Sequence, residues 1–236
     1  MNDELYHYGV KGMKWGVRRT PEQLGYTNLR KARTSNLDKW GKDPNHNVAY
    51  IGGYSGSGKS TVARSLSDKS TDIVHLDLYF ERGMSDSENR CKEFDSYLRK
   101  HKTKAPNELS MKEWASNKTL QKFEEAIELF GKEQYKKGRK VIAEGVEVLD
   151  GGIRPDKTFF TDKPLILLST NPVTSMKRAF DRDGRGNLVV GLRNLDSAKE
   201  YVAWYAQTHG QLNDMARQTK AKRGSDWVKK YLDSNA

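Results

Sequence analysis

Apolar residues in this chain follow two patterns: short solid runs, and stripes that recur every three to four residues. The runs predict strands at Asn47–Ile51, Asp72–Leu78, Lys140–Glu144 and Pro164–Thr170, the last apolar enough to be a buried central strand. The stripes predict helices. One covers Lys59–Ser67. A second follows the capping box Ser85-x-x-Glu88 and places Cys91, Phe94 and Leu98 on one face. A third follows Ser110-x-x-Glu113, carries Leu120, Phe123, Ile127 and Phe130, and ends at Gly138, a residue suited to a helix C-cap. Pro172 stands where a helix would begin, and Ser197-x-x-Glu200 opens a last long helix reaching about Ala216. Strand and helix alternate from residue 46 to 216, as a parallel α/β sheet requires, with residues 85–138 as a helical insertion. Residues 1–45 show no sustained period and read as a flexible arm, and residues 217–236 read as a tail.

Charge changes this picture mainly at the ends. The chain has 236 residues and a net charge of +11. Residues 1–45 carry nine Lys and Arg against five Asp and Glu, and residues 216–236 carry six against two, so eight of those eleven charges lie in the arms. Basic arms of this kind suit nucleic acid or another acidic surface, and they equally suit solvated tails. One cysteine, Cys91, excludes an internal disulfide and fits a reducing cytoplasm. The longest aliphatic run, Leu165–Leu168, is too short for a membrane span or the apolar region of a signal peptide. His7, His46, His75, His101 and His209 lack metal-ligand spacing, and no zinc site is expected.

The chemistry concentrates behind the first strand. Gly53-Tyr-Ser-Gly-Ser-Gly-Lys-Ser-Thr61 matches the phosphate-binding P-loop, G-x-x-x-x-G-K-S/T. Gly53, Gly56 and Gly58 permit a tight turn that aims backbone N–H groups, with those of Ser55, Ser57 and Thr61, at the phosphates of ATP or GTP. Lys59 reaches the outer phosphates, and the Ser60 hydroxyl suits Mg²⁺. A helix starting here adds its positive end to the same anion. The expected fold is therefore a P-loop NTPase three-layer sandwich with a central parallel sheet.

Three further features specify a kinase. His75-Leu-Asp77-Leu-Tyr79 ends the second strand, where ligands of open sheets lie. Period 2 puts His75, Asp77 and Tyr79 on one side, with Asp77 as base and Tyr79 touching the acceptor. Val141-Ile-Ala-Glu144-Gly145 places a carboxylate for a Mg²⁺-bound water or an acceptor hydroxyl. At about 100° per residue, Arg178 and Arg182 share a helix face opposite Val173, Met176 and Phe180. With Arg185 they suit a lid over residues 177–190 that closes on the transferring phosphoryl group.

These segments resemble the P-loop kinases of small molecules, most closely the uridine-kinase-like nucleoside and nucleotide kinases, over roughly residues 47–215. The resemblance implies Asp77 as catalytic base, Glu144 as Mg²⁺ or acceptor partner, and Arg178, Arg182 and Arg185 as the lid. Two features depart from that family: the arginines are more closely spaced, and no fifth strand is legible after them. The leading expectation is transfer of the ATP γ-phosphoryl group to a hydroxyl of a nucleoside or nucleotide. The alternatives are a polynucleotide kinase acting on a 5′-hydroxyl or modified base, a toxin-like kinase of amino-sugar nucleotides, and a nucleotide-binding interaction protein without turnover.

The arm carries Tyr6-His-Tyr-Gly-Val-Lys-Gly-Met-Lys-Trp-Gly-Val-Arg-Arg19, which resembles a short element found on diverse phage and prophage proteins. It implies either association with a virion component or a plain basic leader. The expected location is the cytoplasm of a bacterial host or the virion.

Overall fold

The computed structural model describes residues 32–54, 56–80, 89–114, 117–150, 157–170 and 198–223. Among the described residues, six strands form one sheet: β1 (Arg33–Ser35), β2 (Val48–Gly53), β3 (Thr71–His75), β4 (Lys140–Gly145), β5 (Leu165–Leu168) and β6 (Lys222–Arg223). Their order is β3-β4-β2-β5-β1-β6. The α-helices among the described residues are α1 (Lys59–Leu66), α2 (Asp77–Phe80), α3 (Lys92–Lys100), α4 (Met111–Trp114), α5 (Asn117–Lys136), α6 (Glu147–Asp150) and α7 (Ala198–Gln218).

The fold is α/β, but the expected parallel sheet is corrected to a mixed one. β3–β4, β4–β2 and β2–β5 pair in parallel, whereas β1 runs antiparallel to both β5 and β6. Strands β1 and β6 escaped the sequence pattern because they are short and polar, Arg-Thr-Ser and Lys-Arg. Such segments join a sheet through backbone hydrogen bonds, which side-chain periodicity does not report. No strand was legible after the arginines; among the described residues the two-residue β6 follows them in the chain and pairs with β1 at the sheet edge.

Residues 32–45, grouped by the pattern with the arm, belong to the folded unit. Ala32, Leu37 and Trp40 are buried. The Trp40 indole N–H donates to the carbonyls of Asn47 and Val141, both at 3.2 Å. Asn47, itself buried, donates through Nδ2 to Gly131 O at 2.7 Å and Arg139 O at 2.9 Å, clasping α5 to the start of β4.

The strands alternate between two apolar layers, which explains their solid runs. Ala49, Ile51, Ile142, Ile166 and Leu168 face Val62, Ala63 and Leu66 of α1 together with Trp40. Val48, Tyr50, Val141, Ala143, Leu165 and Leu167 face Phe94, Phe123, Ile127, Phe130 and Met215. Gly131 lets α5 approach β2 closely, since a Cβ there would lie 2.3 Å from Val48 Cγ2.

Several expected boundaries hold. Phe94 and Leu98 of α3 are buried on one face, and Gly138, at φ +70°, closes α5. The Ser110–Glu113 box is formed in both directions: Ser110 N donates to Glu113 Oε2 at 2.9 Å, and Glu113 N to Ser110 Oγ at 3.3 Å. The second strand is shorter than expected. β3 stops at His75, and Asp77 begins the single turn of α2, so period 2 does not extend to Asp77 and Tyr79. The Ser85 box, Pro172, Ser197 and residues 177–190 lie outside the described residues.

Candidate functional site

The carboxyl ends of β2, β3 and β4 bring the sequence-predicted polar residues together. Between β2 and α1 the loop turns through Gly56 at φ +73° and Gly58 at φ +96°, conformations that disfavour any residue with a Cβ. Gly53 is held tightly: a Cβ there would lie 2.5 Å from Ser57 Oγ and 2.7 Å from Leu168 O. Gly58 caps α1 without a side-chain acceptor, so no side chain of the cap claims the N–H groups of the first turn. Ser55 lies outside the described residues.

Lys59 is 6% exposed, and its ammonium donates back to Tyr54 O at 3.3 Å, across the loop. Ser57 Oγ is buried with no protein partner. Ser60 Oγ donates to Glu144 Oε1 at 2.9 Å, and His75 Nδ1 lies 2.5 Å from the same oxygen. Glu144 is 2% exposed, and its other oxygen, Oε2, has no hydrogen-bond partner. A buried carboxylate oxygen without a partner is costly unless it serves a ligand.

Asp77 stands beside this cluster. Its Oδ1 accepts from Val146 N at 3.4 Å. Burial alone pushes the Asp77 carboxyl up, but the Lys59 ammonium, a side-chain hydrogen bond with Glu147, the Val146 N–H and His75 outweigh it and hold the group below the usual carboxylate range. Asp77 is therefore ionised at neutral pH. Glu147, at the start of α6, is 6% exposed. Gly145 makes room for both acids: a Cβ there would lie 2.2 Å from Glu147 Oε2 and 3.1 Å from Asp77 Oδ1. The sequence reading missed Glu147, although a second carboxylate three residues past Glu144, across a glycine, was the signal available.

Tyr79 does not join this group. It is fully buried, with ring centroids 5.3 Å from Phe94 and 5.7 Å from Phe123, and the Arg90 guanidinium sits 4.3 Å above its ring. The turn of α2 rotates Tyr79 into the core, off the strand side on which period 2 would place it with Asp77. Tyr54, in the glycine-rich loop, is likewise fully buried. Its hydroxyl meets His209 Nδ1 at 2.8 Å and its ring lies 4.7 Å from Tyr205, fastening the loop to α7. Arg178, Arg182 and Arg185 lie outside the described residues.

Two other features sit at the opposite, amino-terminal ends of β3 and β4. Asp72, Cys91 and Glu93 bring potential ligand atoms within 4.8 Å of one another. However, the Arg139 guanidinium already binds both carboxylate oxygens of Asp72, and burial pushes the Cys91 thiol up to about 12. A cleft of about 300 Å³ between α3 and α5 is lined by Lys92, Tyr97, Lys100, Phe130 and Gln134. None of the residues lining this cleft belongs to the glycine-rich loop.

Residues 1–22 match a family of unknown function (DUF7211), a match that includes the Tyr6–Arg19 element. No curated protein and no solved structure matches the chain.

Proposed function

We propose that this protein is a kinase that transfers the γ-phosphoryl group of ATP or GTP to a hydroxyl of a small molecule, a nucleoside or nucleotide in the leading reading. One observation carries the proposal: Lys59, Ser60, Glu144 and Asp77 converge on a left-handed glycine turn at the start of a helix. The glycine-rich loop binds the phosphates through its N–H groups, and Lys59 leaves the Tyr54 carbonyl to reach the outer phosphates.

The donor set fits Mg²⁺. Ser60 Oγ and the unpartnered Glu144 Oε2 are hard oxygen donors side by side, the kind of ligand this ion takes directly or through water. When bound, the ion neutralises charge on the outer phosphates. His75 fixes the direction of the Glu144 carboxylate by engaging Oε1 and leaving Oε2 for the ligand side.

Asp77 accepts the proton of the acceptor hydroxyl. The acceptor oxygen bonds to the γ-phosphorus, the bond from that phosphorus to the bridging oxygen breaks, and the nucleoside diphosphate leaves with the electron pair. An ionised Asp77 is in the required state without further activation. A polynucleotide acceptor is the second reading, favoured by the eight net positive charges in the two ends.

The test is an acceptor screen with γ-labelled ATP and Mg²⁺ over pooled nucleosides, nucleotides and hydroxyl-ended or modified-base oligonucleotides. Label should enter one pool. The Asp77→Asn rate should fall by roughly 10²–10⁴-fold, and Lys59→Ala should lose nucleotide affinity as well as rate. Binding without transfer to any pool would replace the kinase with a nucleotide-binding interaction protein. Absence of nucleotide binding would defeat both readings.

A further inference from the structure

We propose that Tyr54 and His209 are positioning residues for the nucleotide: through their side-chain hydrogen bond α7 sets the glycine-rich loop, and a bound phosphate is felt in return at His209. Their role rests on the reading of that loop as a phosphate site and needs no transfer step.

Tyr54 is the second residue of the loop, and its two ends serve different elements. Its carbonyl faces the loop: Ser57 N donates to it at 3.1 Å and the Lys59 ammonium at 3.3 Å. The turn and the lysine that meet phosphate therefore take their bearing from one peptide oxygen. The side chain of Tyr54 leaves the loop and is fully buried. Its hydroxyl lies 2.8 Å from His209 Nδ1, and its ring lies 4.7 Å from that of Tyr205. Tyr205 and His209 are four residues apart on α7 and share a face, with ring planes 13° apart.

The neighbours of Tyr54 leave it little freedom to move alone. Gly53 is packed against the end of β5, where an added Cβ would lie 2.7 Å from Leu168 O. The Tyr205 hydroxyl donates to Thr170 O, just past the end of β5. Helix α7 thus grips both the loop after β2 and the chain after β5, two strands that pair in parallel. A shift of the Tyr54 side chain moves its carbonyl, and with it the Lys59 ammonium and the Ser57 amide. Displacement by about 1 Å is enough to weaken groups aimed at a ligand. Binding free energies are linked, so whatever the Tyr54–His209 bond does for nucleotide affinity, the nucleotide does for that bond. When Lys59 leaves Tyr54 O for the outer phosphates, the change reaches His209 through a single residue.

The test uses the full chain with ¹⁵N-labelled histidine, titrated with the magnesium complexes of ADP and GDP. The ring resonances of His209, identified by nuclear Overhauser contacts with Tyr54 and Tyr205, should shift on saturation with the nucleotide that binds. Its Kd should rise about 3- to 10-fold in Tyr54→Phe and in His209→Ala, the range a hydrogen bond is worth. The double variant should be no weaker than the weaker single one. His209→Gln, which keeps a donor and an acceptor, should recover most of the loss. An unchanged Kd in both single variants, with only their unfolding midpoints lowered, would make the contact a fold anchor and overturn the proposal. Losses that add, or a wild-type His209 signal that nucleotide leaves untouched, would overturn it as well. The wild-type signal needs no variant, so it stands even where a substitution fails to fold. A wild type that binds neither nucleotide defeats the phosphate-site reading and this role together, whereas binding without transfer to any acceptor defeats the kinase alone.

Discussion

Gly131 shows how a single position can oppose its own local preference. It sits inside α5, where alanine would be better by about 1 kcal/mol on helix propensity. Its added Cβ would stand 2.3 Å from Val48 Cγ2 in a buried strand, and overpacking of that kind costs about 1–3 kcal/mol. The clash should win. Gly131→Ala is expected to lower the urea midpoint of unfolding, and adding Val48→Ala should make the pair less destabilised than the sum of the single changes. Additive losses would show that the contact is not the cause. Position by position, the sequence reports geometry where that geometry depends on local backbone. Gly56, Gly58, Lys59 and Ser60 fall within five residues, and a left-handed glycine turn opens α1 there. Tyr79 was misplaced because a turn of helix begins two residues before it, and Glu147 was passed over because only a contact across 70 residues makes it notable.

The helical boundaries rest on caps whose strength depends on pH. Glu113 begins the helical region at α4, and its carboxyl is held down to about 2, first by the hydrogen bond from Lys104 and then by those from Ser110 N and Oγ. Its ordinary value is 4.5, so the folded form is the stronger acid. The stabilisation is therefore complete above about 4.5 and is lost as pH falls through about 2. The Ser110 amide resonance should titrate with a midpoint near 2 and become insensitive in Glu113→Gln. A midpoint at the ordinary carboxylate value would remove the box from the account. This element was legible because a capping box is a spacing of three residues. The end of β3 was not, since Leu76-Asp-Leu-Tyr-Phe80 alternates well enough for a strand and is turned into helix by its hydrogen bonds to Leu76 O.

For the molecule as a whole, the consequential boundary is the start of the folded unit. Removing residues 1–31 takes away the segment that carries the family match, whereas removing 1–45 also takes away β1, Leu37 and Trp40. The shorter truncation should retain a cooperative unfolding transition and nucleotide binding. The longer one should lose cooperativity, because β5 would lose one of its two neighbours and α1 part of its apolar partner. Trp40→Ala in the full chain should cost about 3–5 kcal/mol by thermal or denaturant unfolding. Equal stability of the two truncations would return residues 32–45 to the arm. The two truncations also separate charge from fold in any test of oligonucleotide binding.

Read alone, the chain disclosed the α/β class, four of the six strands among the described residues, the longer helices there and the glycine-rich loop with its lysine and serine. Each of these is written in neighbouring residues, through the φ of glycine, the period of apolar positions or the reach of a cap. The mixed sheet, the inward turn of Tyr79, the hold of His75 on Glu144 and the meeting of Glu147 with Asp77 were decided only on folding. They depend on strand order and register, which bring residues about 70 positions apart within hydrogen-bonding distance. No local pattern encodes such a distance, because backbone pairing and close packing set it across the whole sheet.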